Sequence, residues 1–369
     1  MRKVFEVELA SENGCTQLAL PAAPYALLDA LEKLRLVEQE APQWKILASH
    51  DVGNISLYFK RESGSLSELN ALTQRLSELN TTELVIMEGL IGMEQSRPGI
   101  TPIPLSRLID LAYSTDCCLL VEGVVTDAQL GRFCAENSFV PEADDLSDEA
   151  FELLDFAKIG REFRQNEAGV FTSGGYVQKH GELRQVCDTL NLVPQKPDYA
   201  ILVATASGCE VKLPVPLGEP MGDEPVLCVD CAAPALTGLS GVMATLDMLA
   251  HRLTYLTVDG EMPKYKALLE ATGCDDIRWA LALADGLDQY TFSPDLLEQE
   301  DVAMECLKTM LPDNEVKLLA PYVDLPRYGQ AVLEQTDGQL TSYGLIQRVD
   351  GEPILNMAQK PTAGEMEMM

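Results

Sequence analysis

The hydrophobic pattern changes period several times along the chain. Val4-Phe5-Glu6-Val7-Glu8-Leu9 alternates apolar and acidic positions, which predicts a strand with one buried face. Tyr199 to Ala204 predicts another. Leu27 to Leu36 and Ser65 to Leu79 instead repeat their leucines at helical spacing, so that each lays an apolar stripe along one helix face. The second of these opens on Ser65-Leu66-Ser67-Glu68, a capping-box pattern with Ser65 as the N-cap. Helices are also predicted over Leu105–Tyr113, Asp127–Asn137 and Asp148–Arg164, and glycine-punctuated strand pairs over Gly169–Gln178 and Gly338–Arg348. The tail from residue 356 to Met369 has no such pattern and is expected to fray.

These elements recur in order. Leu154-Asp155-Phe156-Ala157-Lys158-Ile159-Gly160-Arg161 is matched 169 residues later by Val323-Asp324-Leu325-Pro326-Arg327-Tyr328-Gly329-Gln330. Gly169 then meets Gly338, and Thr172-Ser173-Gly174-Gly175 meets Thr341-Ser342-Tyr343-Gly344. At the same offset upstream, Asp116 meets Asp285 and Glu136 meets Glu305. Leu69, Leu72, Arg75, Leu76 and Leu79 match Leu246, Leu249, Arg252, Leu253 and Leu256 at an offset of 177. Gly14-Cys15 and Leu20-Pro21 resemble Gly208-Cys209 and Leu213-Pro214. The expectation is a tandem duplication: a first repeat over 1–185, a shorter and diverged second over 195–355, and Pro194-Gln195-Lys196-Pro197 as the linker. The fold class is α+β, an elongated tandem repeat of small mixed α/β units with an acidic surface.

Charge sharpens this picture. The 369 residues hold 58 acids and 27 bases, a formal net charge of −31, yet 46% of them are hydrophobic. The chain therefore has the means to bury a core and is not a disordered acidic tail. Residues 1–185 carry 29 acids and 16 bases and the remainder 29 and 11. From Asp110 to Asp155 there are twelve acids and one base, Arg132; from Asp275 to Asp324 there are twelve acids and three bases. Duplex DNA carries one negative charge per roughly 1.7 Å of axis, so about thirty net charges on one face would match on the order of 50 Å of duplex. Direct nucleic-acid binding is disfavoured, and the complementary partner is a strongly basic protein.

Two-copy order and charge together lead to a family. Asp155 through Tyr176 sets an acid before an aromatic, then Ile159-Gly160-Arg161-Glu162, then Gly169-Val170-Phe171 and a glycine-bearing strand. This resembles the C-terminal segment of the ArdA antirestriction proteins. His50-Asp51 stands where that family carries a His-Asp pair, and Ser67-Glu68-Leu69-Asn70-Ala71-Leu72 resembles its Glu-Leu-Asn helix start. Ser114-Thr115-Asp116-Cys117-Cys118 falls near the family's acidic midsection. The resemblance covers most of residues 1–180 in order and the second copy more faintly, without the His-Asp pair. It implies a non-enzymatic, cytoplasmic DNA mimic, of the kind carried on mobile genetic elements in conjugative transfer. Such a protein occupies the DNA-binding groove of type I restriction-modification enzymes. The family is often dimeric, so a homodimer is also an expectation, although two copies in one chain could supply what a dimer provides. The mimicking acids would be Asp110, Asp116, Glu122, Asp127, Glu136, Glu142, Asp144, Asp145, Asp148, Glu149 and Glu152, with Asp285, Asp288, Asp295, Glu298, Glu300, Asp301 and Glu305 in the second copy. Asp155, Gly160, Gly169, Gly175, Asp324, Gly329, Gly338 and Gly344 would be structural positions of the repeat.

Other chemistry is weakly signalled. Cys228-Val229-Asp230-Cys231 has the spacing of a redox or zinc knuckle but no second ligand pair nearby. With three histidines and no Gly-Lys-Ser/Thr after Gly174-Gly175, neither a metal or triad centre nor a phosphate loop is expected. His50 beside Asp51 reads as a strand-end feature. The ten cysteines lack disulfide-scaffold spacing and read as buried thiols of a reducing compartment. The start of the chain shows no apolar leader and no apolar run long enough to span a bilayer occurs. Expected cofactors, metals and membrane partners are none. An acidic adaptor or scaffold of a conjugative element, binding some other basic protein, is the alternative reading.

Overall fold

The computed structural model describes residues 2–12, 14–36, 42–52, 55, 65–96, 103–190, 192, 195–216 and 224–354. Among them are thirteen α-helices and four small antiparallel sheets, a mixed α/β architecture. The chain divides into two compact units. The first comprises Met1–Ala22 and Ala30–Pro194, the second Ala23–Asp29 and Gln195–Met369. The tail expected from residue 356 lies outside the described residues.

The first unit opens with β1 (Phe5–Ser11) and β2 (Gly14–Leu20). Helix α1 (Pro24–Lys33) follows, then β3 (Gln43–Ser49). Helix α1 begins three residues before the expected Leu27, with Pro24 at its first turn, where a missing N–H is harmless. Strand β1 lies between its neighbours in the order β2-β1-β3. Its alternating pattern buries Phe5, Val7 and Leu9 on one face, as a period of two requires. Between Glu6 and Val7 the pairing with β3 skips Leu47, a bulge. Three helices come next: α2 (Leu66–Glu78), α3 (Thr81–Gln95) and α4 (Leu105–Ala112). Ser65 caps α2 by accepting from Glu68 N at 3.3 Å, and Asn80 with Glu83 forms a full capping box on α3. Arg75 of α2 donates through Nε to the Ala112 carbonyl at the end of α4, 3.1 Å away.

The rest of the first unit is a small layered module. It runs β4 (Cys118–Glu122), α5 (Asp127–Glu136), the single turn α6 (Asp148–Phe151), α7 (Phe156–Glu167), β5 (Val170–Phe171) and β6 (Gly175–Lys179). The strands pair in the order β4-β6-β5. Leu130, Cys134 and Tyr176 form the module's buried core, with Phe133, Phe163 and Phe171 packed against it. The single helix expected over Asp148–Arg164 is two helices. Asp155 interrupts them by accepting from Lys158 N at 3.0 Å, which caps α7 and ends any continuation from α6.

The second unit begins with β7 (Ile201–Ala204), β8 (Glu210–Leu213), β9 (Pro225–Cys231) and β10 (Ser240–Val242), paired in the order β10-β9-β7-β8. Here too the pairing slips, between Leu202 and Val203, so that Val229 is skipped. The helices α8 (Met243–Val258), α9 (Met262–Thr272) and α10 (Ile277–Asp285) follow, and Arg252 of α8 donates to the Ala284 carbonyl of α10 at 3.2 Å. Last come β11 (Tyr290–Ser293), α11 (Gln299–Met310), α12 (Asp313–Leu319), α13 (Leu325–Thr336), β12 (Gln339–Thr341) and β13 (Gly344–Arg348). Their strands pair as β11-β13-β12, and Asp324 caps α13 through Arg327 N at 3.3 Å.

The last strands of the two units pair alike but at different spacings. Cys118 lies opposite Lys179 and Tyr290 opposite Arg348. The latter members of each pair are 169 residues apart and the former 172. The three-residue difference falls between the helices of each module. Asp116 and Asp288 each stand in the middle of a 3-10 turn, before β4 and β11, and Glu136 and Lys308 each at the tenth position of a helix, α5 and α11.

Segment Ala23–Asp29 completes the second unit's interior. Tyr25 belongs to the same buried cluster as Leu246, Leu253, Leu268 and Trp279. Asp230 Oδ2 accepts from Tyr199 Oη at 2.9 Å and from Tyr25 N at 3.4 Å; burial pushes its carboxyl upward in spite of these donors. Asp29 Oδ1 accepts from Lys266 Nζ at 2.7 Å and from Tyr343 Oη at 2.8 Å, all three residues being buried. Removing one partner of a buried ion pair typically costs about 3–5 kcal/mol. The two tryptophans, buried Trp44 and Trp279, fall one in each unit. In a Trp44→Phe background, denaturant unfolding followed by Trp279 fluorescence should show Asp29→Ala destabilising the second unit by about 3–5 kcal/mol. Asp29→Leu with Lys266→Met should recover most of that loss. An unchanged midpoint in Asp29→Ala would show that the pair carries no stability.

Candidate acidic interaction surface

The predicted acids fall mostly on the module built from α5, α6 and α7 and on its counterpart around α11, α12 and α13. The module is held by an unusually close helix crossing. A Cβ placed on Gly160 of α7 would lie 1.8 Å from the Asp127 carbonyl oxygen, and one on Gly131 of α5 would lie 1.8 Å from that of Phe156. Gly329 of α13 stands in the same relation to Gln299, also at 1.8 Å. Below the crossing, Gly175 and Gly344 take φ of 156° and 146° at the start of β6 and β13, where side-chain-bearing residues are rarely found. Thr172 and Thr341 close these turns by donating to the Gly175 and Gly344 carbonyls at 2.8 and 2.7 Å. Gly169 packs against the Tyr176 ring and Gly338 against Gln347. Asp155 and Asp324 are helix caps.

Several predicted acids are structural braces. Asp127 Oδ1 accepts from Arg164 Nε at 2.9 Å and its second oxygen lies 3.8 Å from Arg161 Nε, which fixes the first turn of α5 to α7. Asp110 Oδ1 accepts from the Val186 and Cys187 amides at 2.7 and 2.9 Å. Asp116 pairs with Arg184. In the second unit Asp301 Oδ2 accepts from Leu297 N at 3.1 Å and Glu298 N at 3.0 Å, closing the N-terminus of α11 with Glu298. Asp285 lies 3.4 Å from Arg252 and Glu305 3.9 Å from Lys308.

The others differ in kind. Glu122, Glu142, Asp144, Asp145, Asp148 and Glu149 are exposed, and among the described residues none has an ion-pair partner. The single base between Asp110 and Asp155, Arg132, is already engaged: its guanidinium lies 3.5 Å from Glu136 and 2.6 Å from Glu152, and over the Phe156 ring. Its hydrogen bond holds the Glu152 carboxyl below the usual carboxylate range. In the second unit Asp288 and Asp295 are exposed and Glu300 half-buried. Exposed Asp313 and Glu315, on the first turn of α12, extend the acidic stretch and were not singled out in the sequence. Their signal was available, as they lie in the same base-poor interval. Buried acids were not legible at all: Glu94 pairs with Arg107 at 2.5 Å, and Asp247 accepts from Val215 N at 2.8 Å.

The remaining candidates are structural where described. His50 N donates to the Val4 carbonyl at 2.8 Å at the end of β3, and Asp51 follows in the left-handed region at φ 52°. A pocket of about 550 Å³ beside it is lined by Arg2, Asp51, Thr81, Glu88 and Ser173 among others. Arg2 there donates to the Leu76 carbonyl at 3.1 Å, and Ser173 Oγ to Glu88 Oε2 at 3.1 Å. The bulge in β9 turns Cys228 and Cys231 onto one buried face, where burial drives the Cys231 thiol well above its ordinary value. No group of three or more His, Cys, Asp or Glu placed to hold a metal occurs among the described residues, and no described helix is long and apolar enough to cross a membrane.

No protein-family model matches the chain, and the search of curated proteins returned no match.

Because α5 and α7 meet backbone to backbone, Gly160→Ala should lower the stability of the first unit by about 1–3 kcal/mol, the range for overpacking a filled interior. Thermal unfolding followed by circular dichroism would register this. A variant melting with the unaltered protein would mean the crossing has slack.

Proposed function

We propose that the chain is an ArdA-like antirestriction protein of two tandem repeats, which mimics DNA and occupies the DNA-binding groove of type I restriction-modification enzymes. The observation that carries this reading is the imbalance along Asp110–Asp155. Its one base is neutralised within the module by Glu136 and Glu152, while Glu142, Asp144, Asp145, Asp148 and Glu149 remain exposed and uncompensated. The shared order of elements in the two units supports a duplication that presents such a surface twice.

The mechanism is competition, with no bond made or broken. Enzymes that hold DNA do so with lysine and arginine, and much of the affinity comes from neutralising phosphates. Carboxylates offered to the same cations make charge-assisted hydrogen bonds. They also raise the encounter rate through long-range attraction. Since phosphate contacts carry no sequence information, a mimic of backbone charge would act on enzymes with different target sites. The duplication lets one chain present two surfaces.

The test is displacement of a labelled duplex from a type I methyltransferase at low and raised salt. Displacement should weaken steeply as salt rises. Replacing Asp144, Asp145, Asp148 and Glu149 together by Asn and Gln should cost about tenfold in affinity at low salt and flatten the salt dependence. No displacement from several such enzymes would sink the reading and move an acidic adaptor for another basic protein ahead of it.

A further inference from the structure

The most exposed of the large apolar side chains described in each unit stands at the same place in both. Leu153 is 86% exposed and Tyr322 88%, above every other large apolar side chain among the described residues. Each lies two residues before the aspartate that caps the last helix of its module, at the end of the acidic connector. Neither sits on a loose end. Leu153 N donates to the Ala150 carbonyl at 3.2 Å, and the Phe151 and Phe156 rings on either side of it pack with centroids 5.4 Å apart. Tyr322 closes a 3-10 turn, with Leu318 a further exposed apolar residue four positions earlier.

A single exposed leucine is ordinary. Its recurrence is not, because the surrounding sequence has diverged: Glu149 and Glu152 stand where the second unit has Leu318 and Pro321. Residue type has changed from Leu to Tyr while an apolar side chain displayed to water has been kept. Such display has a free-energy cost that burial against a partner removes.

We propose that Leu153 and Tyr322 are apolar anchors of the interaction surface, each seating in an apolar depression of a basic groove on a partner protein. This rests on the antirestriction reading above and adds to it what charge alone cannot provide. The exposed acids on the same stretches of chain choose the occupant: Asp148, Glu149 and Glu152 within five residues of Leu153, and Asp313, Glu315 and Asp324 within nine of Tyr322. They repel nucleic acid, an anionic membrane and a second copy of this chain alike. A groove that reads DNA sets apolar side chains among its cations to meet thymine methyl groups. An exposed leucine or tyrosine framed by carboxylates complements that combination. The anchors take the place of central contacts and the acids that of a polar rim.

Salt separates the two contributions, since screening weakens the rim and leaves apolar burial in place. The full-length chain with Leu153→Ser, Tyr322→Ser or both would compete with labelled duplex for a type I methyltransferase at low and raised salt. Native tryptophan fluorescence would confirm that both units remain folded. Each single change should weaken displacement about tenfold and the pair about a hundredfold, equally at both salts. Leu153→Met and Tyr322→Phe should retain affinity. A double serine variant that displaces DNA as well as the unaltered protein overturns the anchors while leaving the antirestriction reading intact. A loss confined to low salt overturns them too. If the unaltered protein displaces no DNA at either salt, the antirestriction reading fails and the anchors fail with it.

Discussion

Where α5 crosses α7 there is no room for a side chain, and the rest of the module follows from that. Helices separated by ordinary side chains pack 8–10 Å apart; here Gly131 and Gly160 bring carbonyl oxygens to where a Cβ would have been. Contact this close lets three short strands and a handful of residues around Leu130, Cys134 and Tyr176 suffice as an interior. It also fixes both ends of the connector between the helices. The carboxylates and the apolar residue on that connector are thus displayed from a rigid frame, which limits the entropy lost on binding. The second unit reaches the same crossing with one glycine, Gly329, against Gln299, and with buried Ala303 on the facing helix.

Several of the chain's few bases tie its elements together. Arg75 and Arg252 tie helices together through carbonyls, Lys266 is buried on Asp29, Arg107 meets Glu94, and Arg164 clamps Asp127. Arg75 and Arg252 also reach exposed acids, Glu78 and Asp285, whereas Lys266, Arg107 and Arg164 pair with acids that are themselves buried or half-buried. The surplus of 31 negative charges is not spread evenly. Along the sequence it is densest over Asp110–Asp155, where the one base, Arg132, already lies between two glutamates. Self-repulsion among exposed carboxylates is moderated by solvent and salt, and the braces beneath hold the frame against what remains.

Local signals in the sequence were legible where chemistry and position are coupled within a few residues. The Ser65 cap, the alternation of β1 and the strand pair after Gly169 all have causes three or four residues away. Causes further off were hidden. Nothing local says that Asp155 ends one helix and starts another, because Asp148–Arg164 keeps helical spacing through the break. Glycine and aspartate landmarks after the connector set the offset at 169, yet α5 and α11 begin 172 residues apart, a difference in loop length that spacing of landmarks does not reveal. Bulges are likewise invisible as spacing. The odd separation of Cys228 and Cys231 suggested a knuckle, when the skipped Val229 simply turns both thiols inward. Nor could composition separate acids that brace, such as Asp127 and Asp301, from acids that face water, because the distinction depends on which arginine or amide the packing delivers.

Uncompensated charge and protruding apolar groups act on different parts of an association. Exposed carboxylates speed encounter with a basic groove and are sensitive to salt, and they discriminate poorly between one basic groove and another. Lifetime is set at short range by groups that are desolvated on contact. A surface of acids alone would meet any nucleic-acid-binding protein only briefly. Placing Leu153 and Tyr322 at the ends of the two acidic connectors adds a short-range contact that only a partner with a matching depression can answer. On the proposed reading, selectivity among basic proteins follows from two side chains, and the thirty-one charges need only bring the partners together.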